Sequence, residues 1–227
     1  MTVPFPKRLV DGYRAFREVR LPGERSRFAA LAEKGQRPEV MIIGCCDSRV
    51  SPEVIFDASP GEMFVVRNVA NLVPPYAPDE HYHGTSSALE FAVQALKVKH
   101  IVVLGHAHCG GIQAFADRAA PLSPGDFIGK WMTMIAPAAE RLGPKHGNGE
   151  DEDYIRRLER AAIEQSLNNL MTFPYVADRV ASGELALHGA YFGVASGVLL
   201  VRDPHSGTFV PADVPAAAAD ASSFPIR

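Results

Sequence analysis

The chain of 227 residues has only three cysteines, no excess of basic residues and no long apolar run, and each shortage closes off a class of protein. Three cysteines is a small and odd number, so a disulfide scaffold does not organise the fold. Thiols that cluster must then be explained by metal, catalysis or packing. The formal net charge is −3 and no basic stripe is visible, which leaves nothing for a nucleic-acid groove or an anionic membrane surface. No apolar stretch approaches the roughly 20 residues that span a bilayer. The opening Met1-Thr2-Val3-Pro4-Phe5-Pro6-Lys7 lacks a cationic segment leading into an apolar signal core. A cytoplasmic protein without nucleic-acid or membrane partners is the expectation. Internal repeats and a dividing linker are also lacking, so residues 1–227 are read as a single domain.

What is present is an apolar fraction of 47%, ample for a core, arranged partly in short unbroken runs. Val40-Met41-Ile42-Ile43 and Ile101-Val102-Val103-Leu104 show no alternation and run into glycine, as strands covered on both faces of a parallel sheet do. Met63-Phe64-Val65-Val66, after the Pro60-Gly61 turn, is a further strand. Between strands the apolar spacing becomes helical. Ala88, Phe91, Ala92, Ala95 and Leu96 share a face, Ser87 with Glu90 offers a capping box, and Ser51-Pro52 opens a short helix. The expected fold is α/β, with a mainly parallel central sheet flanked by helices. Added to it are an N-terminal helical arm over 1–35, broken into two helices at Leu21-Pro22-Gly23, and a later helix reaching Leu170. Segments 185–194 and 198–202 form a C-terminal hairpin or edge strand, and a tail over 211–227, rich in Ala, Pro and Ser, is expected to be mobile.

All three cysteines fall in two segments, Gly44-Cys45-Cys46-Asp47-Ser48-Arg49 and Gly105-His106-Ala107-His108-Cys109-Gly110-Gly111, each just after an apolar run. Ligand sites in open α/β sheets gather at the carboxyl ends of strands, which would bring Cys45, His106 and Cys109 together. Two thiolates and an imidazole suit zinc, and three protein ligands leave the open fourth position of a catalytic centre. Cys46 is expected to point the other way, into the core, and His108 sits between two ligands, so neither supplies a fourth. Two thiolates cancel the formal charge of zinc, so its water ionises less readily than in an all-imidazole site and activity belongs at alkaline pH. Asp47 can either accept a hydrogen bond from the zinc-bound solvent or swing in as a ligand in a closed, water-free state. A bidentate pair with Arg49 would hold it off the metal.

Cys-x-Asp-Ser-Arg followed far downstream by His-x-x-Cys-Gly-Gly resembles the β-class carbonic anhydrases. The likeness continues through Pro60-Gly61-Glu62, Val66-Arg67-Asn68-Val69-Ala70-Asn71 and Gly84-Thr85, and is close over 36–111. It implies a zinc lyase that hydrates carbon dioxide reversibly to bicarbonate and a proton by attack of zinc-bound hydroxide. One zinc per subunit would be held by Cys45, His106 and Cys109, with Asp47 and Arg49 as the catalytic dyad. The resemblance further implies substrate contacts from Gln36, Phe64, Val69, Phe91 and the Gly110 backbone, in a homodimer or higher homo-oligomer whose sites lie at the subunit boundary. Ile42 stands where the branch with an inhibitory bicarbonate site has Trp, which points to the plant-type, non-allosteric branch. Phe91 keeps an apolar wall where that branch has Tyr. Hydrolysis of a carbon dioxide analogue by the same centre is an alternative. A cysteine-nucleophile phosphatase would want Arg where this chain has Phe115, and a closed zinc module would want a fourth ligand.

Overall fold

The computed structural model describes residues 4–144 and 151–213. Six strands form its centre: β1 (Val40–Cys45), β2 (Met63–Asn68), β3 (His100–His106), β4 (Ala186–Phe192), β5 (Leu199–Arg202) and β6 (Phe209–Pro211). They lie in the order β2-β1-β3-β4-β5-β6, with the first four paired in parallel and β5 antiparallel to both β4 and β6. Around the sheet stand α1 (Lys7–Ala15), α2 (Leu21–Lys34), α3 (Pro52–Ile55), α4 (Gly84–Glu90), α5 (Gly110–Ala116), α6 (Phe127–Met132), α7 (Ala136–Leu142), α8 (Asp151–Leu170) and α9 (Pro174–Ala181). The mainly parallel α/β architecture is as the sequence suggests, with the C-terminal hairpin as β4 and β5. Pro211, where a mobile tail was to begin, is the last residue of the additional edge strand β6. Residues 214–227 of that tail lie outside the described residues.

The apolar runs lack alternation because both faces of the sheet are covered. Side chains alternate along a strand, so Met41 and Ile43 pack with Leu89, Val93, Ile163 and Leu170 while Ile42 meets Leu104 and Ala190 on the other face. Each fully buried side chain of this size contributes roughly 1.5–3 kcal/mol. Among the described residues no helix is long and apolar enough to cross a membrane.

Two local expectations are corrected. The arm does not break at Leu21-Pro22-Gly23; a π-helical turn over Phe16–Arg20 joins α1 to α2, and Pro22 falls in the first turn of α2, where the amide proton it lacks is not needed. Neither α1 nor α2 buries a residue, and Leu9, Tyr13 and Val19 are exposed. The capping box at Ser87 and Glu90 does not form, because α4 already starts at Gly84 with both residues inside it. Asn68 donates to the Thr85 hydroxyl at 3.1 Å and so anchors that earlier start.

The long helix α8 lies close against the sheet over two glycines, Gly105 on β3 and Gly189 on β4. A Cβ on Gly105 would come within 2.7 Å of Ile163 Cδ1, and one on Gly189 within 3.0 Å of Ile163 Cγ2. Ile163 is wholly buried and has little room to move. Gly105→Ala is therefore expected to lower stability by about 1–3 kcal/mol through overpacking. Urea unfolding reads this as a lower midpoint at unchanged m-value; a midpoint equal to the parent's would show that α8 has slack here.

Candidate metal centre

Parallel register sets the site. Gly44 of β1 lies opposite Leu104 of β3, so the two strands end together, Cys45 closing one and His106 the other. Beyond His106 the chain turns tightly, with His108 in the left-handed region at φ 57°, and Cys109 becomes the N-cap of α5. The sulfurs of Cys45 and Cys109 and a ring nitrogen of His106 all lie within 4.8 Å of one another, in three buried residues. Among the described residues this is the one group of three or more His, Cys, Asp or Glu placed to hold a metal ion.

The imidazole is oriented for coordination. His106 Nδ1 donates to the Ala107 carbonyl oxygen at 2.9 Å, which leaves the lone pair on Nε2. That Nε2 is buried and has no hydrogen-bond partner, a rare condition for a polar atom in a folded protein. The thiols beside it are unequal. The hydrogen bond with Cys109 holds Cys45 well below the usual thiol range against the opposing effect of burial, while that bond and burial push Cys109 up. Burial acts to lower His106, but the nearby Cys45 sulfur, the Ala107 carbonyl and Asp47 outweigh it and raise it. Three buried groups thus compete for protons that a divalent cation would replace, and the donor set fits one.

Asp47 and Arg49 form a fork at the mouth of this cluster. Arg49 Nε donates to Asp47 Oδ1 at 2.9 Å and Nη2 to Oδ2 at 2.7 Å, and the Arg49 amide adds a bond to Oδ1 at 3.0 Å. Nη2 also donates to the His108 carbonyl oxygen at 3.0 Å, an acceptor that the left-handed turn presents. The guanidinium bonds, with the amide's help, hold the Asp47 carboxyl well below the usual carboxylate range, so it is an acceptor throughout neutral and alkaline pH. Its Oδ2 stands 4.0 Å from His106 Nε2. Of the two arrangements open to Asp47, the one adopted is held by Arg49. The loop itself is pinned by Arg67 of β2, which donates to the carbonyl oxygens of Cys45 at 2.7 Å and Asp47 at 2.6 Å.

The remaining candidates divide. Val69 and Gly110 sit beside the cluster: a Cβ on Gly111 would meet Val69 Cγ1 at 2.9 Å, and Gly110 opens α5 directly after Cys109. Gln36, Phe64 and Phe91 are not brought there within one chain. Phe64 pairs with Met41, four residues before the Cys45–Asn68 pair and so about 13 Å back along the strand. Its ring packs against that of half-exposed Phe91 with centroids 5.8 Å apart, and Gln36 is exposed in the loop before β1. Cys46 is exposed and not in the core. Its amide still donates to the Asn68 carbonyl at 2.8 Å, so the alternation of the strand carries its side chain to the opposite side from Cys45. The side chain of His108 is also exposed and outside the cluster.

One residue behind the cluster is not singled out by sequence motifs. Glu159 of α8 is 3% exposed and accepts hydrogen bonds from the Cys109 amide and the Tyr191 hydroxyl. Burial pushes its carboxyl up, and those two bonds partly counter the effect. The signal for it was an acid in the apolar stripe of Ile155, Leu158, Ala162 and Ile163.

A family model described as carbonic anhydrase matches residues 40–199, a span that contains every residue of the cluster and of the fork. Beta carbonic anhydrase 3 of Arabidopsis thaliana is 36% identical over 194 residues, covering 84% of this chain and 74% of that protein. Among solved structures, the β-carbonic anhydrase CcaA aligns with a TM-score of 0.79 at 30% identity, over 90% of this chain and 91% of its own. A tetrameric β-carbonic anhydrase of Sordaria macrospora aligns with a TM-score of 0.74 at 29% identity, over 89% and 96%.

Proposed function

The chain belongs to the β-class carbonic anhydrases and is therefore a carbonate dehydratase, a lyase; from that premise we propose that Cys45, His106 and Cys109 hold one zinc ion per subunit, at which carbon dioxide is hydrated reversibly to bicarbonate and a proton. The chief support is the buried, partnerless Nε2 of His106 within 4.8 Å of two thiol sulfurs. Thiolates with an imidazole favour zinc over a hard cation such as magnesium. Zinc bound by these groups would supply a Lewis acid that acidifies a water molecule and so provides a nucleophile at alkaline pH.

The chain's own residues do the rest. Asp47, ionised and acceptor-only, takes a hydrogen bond from the attacking water and so aims its free lone pair at the substrate carbon. Arg49 keeps the carboxylate in that place, because bonds to both oxygens and to His108 oppose a swing inward to the ligand position. Val69 offers an apolar wall to a linear, nonpolar substrate. Gly110 is exposed at the head of α5, where its backbone would meet a substrate oxygen.

Gln36, Phe64 and Phe91 are assigned to the cluster of a second copy, in a homodimer or higher homo-oligomer. Two observations support assembly: α1, the π turn after it and α2 have no buried residue in a single chain while presenting Leu9, Tyr13 and Val19, and a relative of similar fold is described as tetrameric. The test of the activity is stopped-flow hydration of carbon dioxide at alkaline pH by protein whose zinc content has been measured. Rapid turnover at one zinc per subunit is expected. Negligible hydration at full zinc content overturns the assignment, and carbonyl sulfide assayed in parallel shows whether an analogue is the better substrate.

A further inference from the structure

Glu159 takes no part in the chemistry above, yet it lies directly behind a proposed metal ligand. A buried carboxyl is unfavourable unless its oxygens are bonded, and here both are used. Oε1 accepts from the Cys109 amide at 2.9 Å and Oε2 from the Tyr191 hydroxyl at 2.6 Å. Tyr191 is on β4 opposite Gly105, the residue that precedes His106 on β3, and the Arg160 guanidinium stands 5.0 Å from the centre of its ring. One side chain therefore ties α8 and β4 to the turn that carries Cys109. As the N-cap of α5, with φ −71° and ψ 116°, Cys109 has an amide outside the helical ladder, and Glu159 is what satisfies it.

We infer that Glu159 is a positioning residue for the metal centre: latched by Tyr191, its carboxylate holds the Cys109 backbone so that the Cys109 sulfur faces Cys45 and His106. The inference rests on the zinc reading of the site. It is tested on full-length protein by zinc dissociation constants from competition with a chromophoric chelator, and by the thiolate-to-metal charge-transfer bands of cobalt-substituted protein. Glu159→Ala frees the Cys109 amide and is expected to weaken zinc binding by about 10- to 100-fold, the usual effect of removing a partner behind a ligand, and to shift the cobalt bands. Glu159→Gln keeps an acceptor for Cys109 and is expected to return affinity to within about threefold of wild type. Tyr191→Phe removes the latch alone, with packing kept, and is expected to fall between wild type and Glu159→Ala.

Wild-type affinity with unshifted cobalt bands in Glu159→Ala, or in Tyr191→Phe where the alanine variant does not fold, overturns the inference. So does a glutamine variant as weak as the alanine one. Wild-type protein that binds no zinc instead overturns the metal assignment itself, which keeps the two failures apart.

Discussion

Cys45→Ser is expected to leave a folded protein whose zinc affinity has fallen roughly a hundred- to a thousandfold and whose hydration activity has gone with the metal. Closed four-ligand zinc sites are worth about 10–16 kcal/mol in apparent binding, or roughly 2.5–4 kcal/mol for each ligand, which is two to three decades of affinity. A serine hydroxyl does not ionise in this range and offers zinc a neutral, weak donor. The fold tolerates the change. Cys45 is buried at the end of β1, its carbonyl still accepts from Arg67, and a serine hydroxyl could donate to the otherwise partnerless Nε2 of His106. Zinc content after dialysis against a chelator, thermal unfolding of the metal-free forms and stopped-flow hydration together read the outcome. Retention of stoichiometric zinc and parental activity would remove Cys45 from the ligand set.

β1 and β3 are legible in the sequence because burial on both faces erases alternation and leaves unbroken apolar runs. The cluster is legible because the three cysteines are few and stand with His106 at two strand ends that parallel pairing brings level. Asp47 and Arg49 are legible because a spacing of two residues lets the fork close locally. Features that depend on remote groups are not. Ser87 and Glu90 have the spacing of a capping box, but the bond from Asn68 to Thr85 starts α4 earlier. Leu21-Pro22-Gly23 carries a break signal that the π turn before it absorbs. On α8, Asp153 and Arg157 pair at 3.1 Å on the solvated face of the helix. Glu159 lies on the other side of the same helix, and only its apolar neighbours give it away. Gln36, Phe64 and Phe91 are placed at the site by motif, yet no single chain can carry Phe64 the length of β2 to Cys45.

Asp47→Asn is expected to keep zinc at wild-type stoichiometry while kcat/KM for hydration falls about 100- to 1000-fold, the scale on which loss of a positioning hydrogen bond at a reacting centre acts. Zinc stays because Asp47 is outside the Cys45, His106 and Cys109 cluster. Activity falls because the carboxylate supplies two acceptor oxygens, whereas the amide supplies one acceptor and one donor. Arg49 directs N–H groups at both positions, at 2.9 Å and 2.7 Å, so an asparagine that satisfies one must oppose the other. Whichever way it turns, the fork that held an obligatory acceptor 4.0 Å from His106 Nε2 is broken. The pH dependence separates this from a change in acid–base chemistry. Because the Asp47 carboxyl is held low by Arg49, the stability it contributes is present in full above the ordinary carboxylate range and is lost as pH falls from that range through its lowered value. Neither the stability at neutral pH nor an alkaline rise in activity therefore titrates with Asp47, and the asparagine variant should show the parental pH profile at reduced height. Arg49→Lys, which keeps the charge but not the fork, should lose activity in the same way, since a lysine ammonium cannot bond both oxygens in one plane. Undiminished hydration by Asp47→Asn would take Asp47 out of the catalytic machinery, and loss of zinc with the activity would make it a ligand.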